Sequence, residues 1–299
     1  MIRNFNELLD FAINKKNIVV GVPAAEDDTT IKTIILAKQK GIANFIVTGK
    51  KDKIEELLKK NNADNENIKI IDIEDSFKGS EKIVELANQG KVNVILKGFL
   101  PTASLMKPIL DKEKGLRTEK LLSDILIVEN PLKENELLGM ADGGLNILPD
   151  LNQKKEIIKN SVEVFHKLGY ENPNVGIMAA VESVKDSMPA TIDAKELTEM
   201  NKRGEIKGCN VYGPLALDIA VSRQAAEHKG ITNPVAGNVQ IMIMPNIESG
   251  NIFGKSFTYY LKIPVSHVIM GAKIPILIPS RNEKETDKLY SIALGVIIA

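Results

Sequence analysis

A single cysteine, Cys209, stands in this chain of 299 residues, so no disulfide can close within it and a cysteine-ligated zinc or iron–sulfur centre lacks its ligands. A reducing compartment is expected. Tryptophan is absent, aromatic residues make up only 4%, and 39 basic residues balance 39 acidic ones. No basic, aromatic-rich segment offers a footprint for nucleic acid or a membrane surface, so the expected partner is a small molecule. No run of about 18 apolar residues occurs. The N-terminal "MIRNFNELLDFAINKKN" carries acidic and amide residues where a signal peptide needs an apolar core, so a cytoplasmic protein is expected.

Motifs are missing too. The first strand leads into "GVPAAEDD" rather than G-x-G-x-x-G, and neither a G-x-x-x-x-G-K-[ST] phosphate loop nor a G-x-S-x-G elbow occurs. His166 and His228 fall in helical segments and His267 in a strand, at no mutual ligand spacing, so no metal site is expected.

What is present is an alternation of short β-branched runs with longer segments of helical period, the mark of α/β architecture with largely parallel sheets. Strands are expected at 17–22, 43–49, 68–73 and 92–98, with helices near 27–40, 51–60 and 79–89 between them. Between Arg117 and Asp150 the rhythm breaks, because "DILIVENP" and "ELLGMADGGLNILPD" read as antiparallel strands joined by a tight turn. The domain transition is placed there. A second series follows: helices at 150–168, 190–203, 216–228 and 250–262, strands at 174–181, 209–215, 239–246 and 265–271, then "IPILIPS" and a terminal helix.

The segment "IPILIPSRNEKETDK" (274–288) ends an apolar run at Pro279. Ser280 to Glu283 fits the S-x-x-E capping box, which makes Ser280 a helix start. Leu289, Ile292, Ala293, Val296 and Ile297 would form the buried stripe of that helix, with Ser280 and Asp287 on the opposite face, towards solvent or a cleft. A helix N-terminus at a strand's end suits an anion, and Arg281 would add a planar fork for phosphate. Other strand ends carry Gly98, Thr102 and Lys107; Gly237, Asn238, Asn246, Gly250 and Asn251; and Asp142, Gly143 and Asn146. Singly, each reads as turn or cap chemistry.

Four segments together resemble the phosphate acetyl/butyryltransferases, most of all the butyryltransferase branch. They are "VILKGFLPTASLMKPIL" (94–110), "MADGGLNILPD" (140–150), "NPVAGNVQIMIMPNIESGNI" (233–252) and "ILIPSRNEKETD" (276–287), in the family's order. The resemblance implies two α/β/α three-layer domains with an interdomain cleft, as in the isocitrate and isopropylmalate dehydrogenase superfamily. The first would comprise 1–133 completed by 281–299, and the second 134–280. It implies acyl transfer between coenzyme A and inorganic phosphate, with no bound cofactor or metal, in a homo-oligomer, dimer or larger. Relatives carry a Ser-Arg pair and an aspartate seven residues past the serine; Ser280, Arg281 and Asp287 match and are the expected catalytic set. Thr102, Lys107, Gly237, Asn238, Asn246 and Asn251 are the expected substrate contacts.

Two departures from acetyl-specific relatives favour a butanoyl substrate. Lys107 replaces an arginine, and Asn282 and Glu283 replace Gly-Cys. Three alternatives stay open at this point. They are a phosphate acetyltransferase, a metal- and NAD-dependent dehydrogenase of the isocitrate, isopropylmalate or hydroxythreonine-phosphate type, and a non-catalytic acyl-CoA sensing domain.

Overall fold

The computed structural model describes residues 1–299 except 65, 67, 281 and 282. The chain opens with α1 (Phe5–Ile13), β1 (Val19–Val22), α2 (Asp28–Gln39), β2 (Asn44–Gly49), α3 (Lys51–Lys60) and β3 (Ile68–Asp72). It continues with α4 (Ser76–Asn88), β4 (Val94–Leu96), α5 (Thr102–Ile109), β5 (Ser123–Glu129), β6 (Leu137–Ala141), α6 (Leu151–Lys167) and β7 (Asn174–Met178). Then follow α7 (Pro189–Lys202), β8 (Asn210–Leu215), α8 (Leu217–Val221), α9 (Arg223–His228), β9 (Ile241–Ile243) and α10 (Ile247–Ser256), which runs into a π-helical turn (Phe257–Leu261). β10 (Ser266–Met270), β11 (Ile276–Leu277) and α11 (Glu285–Ile298) close the chain. Among the described residues no helix is long and apolar enough to cross a membrane.

These elements form two compact units, one of residues 5–120 and 266–299, the other of residues 1–4 and 121–265. The sequence expectation draws its boundaries later, at 133/134 and 280/281. The structural divisions follow pairing: β5 forms its antiparallel ladder with β6, whereas β11 lies parallel to β4.

In the split unit (5–120 and 266–299) the strand order is β3-β2-β1-β4-β11-β10, parallel except that β10 runs against β11. Asp27 caps α2 by accepting from the Thr30 amide at 2.9 Å, and Asp75 caps α4 through the Lys78 amide at 2.7 Å. α11 lies over the β4–β11 pair, which Gly295 permits: a β-carbon there would stand 2.9 Å from Val94 and 3.2 Å from Leu277. With α1 and α2 packed on it as well, eleven of the 14 residues of α11 are buried.

The central unit (1–4 and 121–265) has the order β5-β6-β9-β7-β8, with β6, β9, β7 and β8 parallel. Its strands alternate between two covered faces. Leu126, Val128, Leu138, Met140 and Met242 form one core with Ile219, Ala226 and Phe257, while Phe165 of α6 lies over Gly139 on the other face. A capping box opens α6, with Asp150 and Gln153 exchanging hydrogen bonds at 2.8 and 2.9 Å.

Several helices depart from expectation: α1 and α5 lie where none was expected, and α4 starts at Ser76 rather than 79. The segment 216–228 is two helices because Ser222 is extended, at φ −122°, and caps α9 through the Ala225 amide at 3.2 Å. α10 starts at Ile247 rather than 250 because Asn246 accepts from the Ser249 amide at 2.9 Å. The terminal helix begins at Glu285, with Lys284 as its N-cap, five residues beyond Ser280.

Candidate active site

In a wound α/β unit, turns at the carboxyl ends of parallel strands gather the ligand-facing groups. In the split unit two such turns leave adjacent strands. The Lys97 amide donates to the Leu277 carbonyl at 2.9 Å, so the exits of β4 and β11 run side by side. The Lys97 ammonium, 9% exposed, donates to the carbonyls of Gly98 at 3.3 Å and Leu100 at 3.2 Å, folding the turn into α5. The Phe99 amide reaches back to the Ala24 carbonyl at 2.7 Å, tying the exits of β1 and β4 together. Sequence reasoning passed over Lys97; its signal was a lysine directly after an apolar strand, before glycine.

From β11 the chain passes Ile278 and Pro279 to Ser280, which is exposed. Ser280 does not cap α11: its hydroxyl makes no hydrogen bond to a described residue, and the helix starts later. Only half of the expected box forms. The Glu283 carboxylate accepts the Ser280 amide at 2.8 Å, while the Glu283 amide donates to the Ser280 carbonyl at 3.2 Å. Arg281 and Asn282 lie outside the described residues.

Asp287 sits in the first turn of α11, where a carboxylate complements the helix dipole. Its placement corrects the expected outward face. Asp287 is 5% exposed, because α11 is enclosed on nearly every side and Lys288 and Ser291 are buried with it. Thr102 and Lys107 lie on α5, both exposed. Five residues of helix set them about 140° apart, so the two project differently. Lys107 stands over the Phe77 ring of α4, 5.5 Å from its centroid, a cation–π contact.

In the central unit the corresponding edge holds Asp142, Asn246 and Asn251. Asp142 is 2% exposed and its carboxylate takes four donors: the amides of Gly144 (2.7 Å), Leu145 (2.9 Å) and Asp124 (3.1 Å), and the Asn146 side chain (2.6 Å). Burial, and then the charge of Asp124, push its carboxyl above the ordinary range against the pull of those amides. This aspartate organises the loop rather than reaching solvent. Asn251 clips the loop to α10 by donating to the Gly143 carbonyl at 3.1 Å, and Asn246 spends its side-chain oxygen on the Ser249 amide and hydroxyl.

Close packing of that loop yields a test. A β-carbon on Gly250 would collide with the Asp142 carbonyl and stand 2.9 Å from the Gly143 Cα. Gly250→Ala is expected to destabilise the protein by about 1–3 kcal/mol, read as a lowered thermal midpoint.

Gly237 and Asn238 do not join Asn246 and Asn251. They precede β9, at the edge where the parallel strands begin, whereas Asn246 and Asn251 follow its end. There Lys133 donates to the Gly237 carbonyl and the Asn238 side chain, both at 3.1 Å, and Asn174 donates to the Asn238 carbonyl at 3.1 Å. Gly237 itself turns at φ +78°, where other residues are strained. Cys209 is buried, which raises its thiol to about 11 and makes it unreactive. Among the described residues no group of three or more His, Cys, Asp or Glu could hold a metal ion.

Comparison with known proteins adds an independent line. The profile of the phosphate acetyl/butaryl transferase family matches residues 78–296. The chain is 40% identical over 299 residues to a phosphate butyryltransferase of Clostridium acetobutylicum, covering 100% of this chain and 99% of that protein. It is 37% identical over 280 residues to a phosphate acetyltransferase of Thermotoga maritima, covering 94% and 95%. Among solved structures, a branched-chain phosphotransacylase from Enterococcus faecalis V583 superimposes with a TM-score of 0.82 at 27% identity, covering 94% of this chain and 98% of that one.

Proposed function

The chain belongs to the phosphate acetyl/butaryl transferase family, and from that premise we propose that it carries butanoyl groups between coenzyme A and inorganic phosphate. The carrying observation is that the family match, residues 78–296, spans Ser280, Arg281 and Asp287 at their expected spacing. Acyl transfer of this kind is the activity of an acyltransferase enzyme, and the dehydrogenase and sensor readings fall away. Butanoyl is placed ahead of acetyl on the full-length likeness to the clostridial butyryltransferase and on Lys107, Asn282 and Glu283.

Thioester and acyl phosphate are both activated acyl donors, so direct attack needs alignment and charge stabilisation rather than a covalent enzyme intermediate. With acyl phosphate as donor, Asp287 accepts the thiol proton of coenzyme A. The thiolate attacks the acyl carbon, a carbon–sulfur bond forms, and the carbon–oxygen bond to phosphate breaks. The Ser280 hydroxyl donates to the carbonyl oxygen as it gains charge, and Arg281 holds the departing phosphate. In reverse, Arg281 places phosphate for attack on the thioester and Asp287 returns the proton to sulfur. Thr102 and Lys107 are assigned contacts with the anionic parts of the substrates, and Asn246 and Asn251 further substrate contacts. Gly237 and Asn238 are assigned to the framework, since their bonds tie the opposite strand edge.

The reading includes no permanently bound cofactor, a cytoplasmic location and a homo-oligomer. The exposed Ile252, Tyr259, Tyr260 and Leu261 on α10 and its π-helical turn support the last, because a grouping of apolar side chains at 50–88% exposure favours coverage. Phosphate-dependent release of free thiol from acetyl- to hexanoyl-CoA tests the function. The highest kcat/KM is expected with butanoyl-CoA. A maximum at acetyl-CoA moves the assignment to phosphate acetyltransferase, and thiol release indifferent to phosphate overturns it.

A further inference from the structure

Ser280 precedes the start of α11 by five residues, so the first turn of that helix does not hold it. The contacts single out Glu283. Its side chain is 8% exposed, and one carboxylate oxygen both accepts the Ser280 amide at 2.8 Å and stands 3.8 Å from Nε2 of His267. A buried carboxylate accepting a backbone amide makes a charge-assisted bond, shorter and stronger than a neutral one. His267 therefore flanks the same oxygen that accepts the Ser280 amide, at a separation longer than a hydrogen bond. It belongs to β10, whose Ile269 pairs with Ile276 of β11, and its amide is fixed by the Ser291 hydroxyl of α11 at 2.9 Å.

The hydrogen bond that holds the Ser280 backbone is thus the one accepted by Glu283, with His267 of β10 beside the same oxygen. We propose that Glu283 is a positioning residue for the acyl transfer, fixing the Ser280 backbone through its amide so that the Ser280 hydroxyl meets the carbonyl oxygen as charge develops. A group held only by a loop loses the geometry on which oxyanion stabilisation depends, and a supporting layer of hydrogen bonds restores it. This inference rests on the reading of Ser280 given above, and its test separates the two.

The experiment compares Ser280→Ala, Glu283→Ala, Glu283→Gln and the double variant Ser280→Ala/Glu283→Ala for kcat, for both KM values and for thermal midpoint. Glu283→Ala is expected to lower kcat about tenfold, the effect of losing one charge-assisted bond in the transition state, with the KM for acyl-CoA unchanged. Glu283→Gln keeps an oxygen that can accept the Ser280 amide and is expected to recover most of that loss with a wild-type thermal midpoint. If Glu283 works through Ser280, its removal in the Ser280→Ala background costs nothing further. An undiminished second loss in the double variant, wild-type kcat in Glu283→Ala, or Glu283→Gln as slow as Glu283→Ala at an unchanged midpoint would each overturn the proposal. Wild-type turnover in Ser280→Ala alone would instead remove the reading beneath it.

Discussion

Asp287→Asn is expected to turn over about 10² to 10⁴ times more slowly than the wild type, with little change in either KM. The substitution preserves the shape of a side chain that is 5% exposed, so packing around the first turn of α11 is retained. What it removes is the only function an amide cannot supply, a site that takes up the thiol proton. Direct transfer between coenzyme A and phosphate has no other way to raise the thiolate at neutral pH in this assignment. Glu285 supplies the control, since it lies in the same turn and adds the same charge to the helix N-terminus. Glu285→Gln is expected to stay within about twofold of wild type, as substitutions away from special contacts usually do. Equal losses in both variants would point to the helix dipole rather than to proton transfer. Near-wild-type turnover in Asp287→Asn would remove Asp287 from the mechanism.

Arg281→Lys is expected to raise the KM for phosphate about 10- to 100-fold while saturation by acyl-CoA stays the same. The charge survives this change, but the two parallel N–H donors that match two phosphate oxygens do not. A hydrogen bond between charged groups lost at a binding site accounts for a change of that size. Steady-state rates against phosphate at saturating butanoyl-CoA decide it. Unchanged phosphate saturation would leave Arg281 without the role assigned to it.

Strand positions in this chain were legible because β-branched runs and their flanking turn residues are local signals. The antiparallel pair β5 and β6 was legible for the same reason, as a break in an otherwise parallel rhythm. Starts of helices were less so. Ser280 and Glu283 have the spacing of a capping box, yet only the glutamate's half forms, because α11 begins at Glu285 with Lys284 as its N-cap. Asp287 was misplaced by the periodicity argument, which assumes one buried stripe. α11 is covered by α1, α2 and the sheet at once, so its polar residues are buried along with its apolar ones. The spacing of Glu283 from Ser280 was legible in the sequence, but its approach to His267 of β10 was not, since the two are distant along the chain. Gly237 and Asn238 stood in a family-like segment, but proximity in sequence to β9 did not say which end of the strand they served.

The register between Leu96 and Leu277 has a consequence for how the molecule is made. β11 lies between β4 and β10 in its sheet, yet the whole of residues 121–265 separates β4 from it along the chain. Until that pairing forms, β4 ends in a row of unbonded peptide groups of the kind that recruits foreign strands and starts aggregation. Closing so long a loop is slow when the intervening chain is random, and the entropic cost falls when that chain has already collapsed. Prior collapse of the central unit shortens the effective loop and so eases the pairing of β11 with β4.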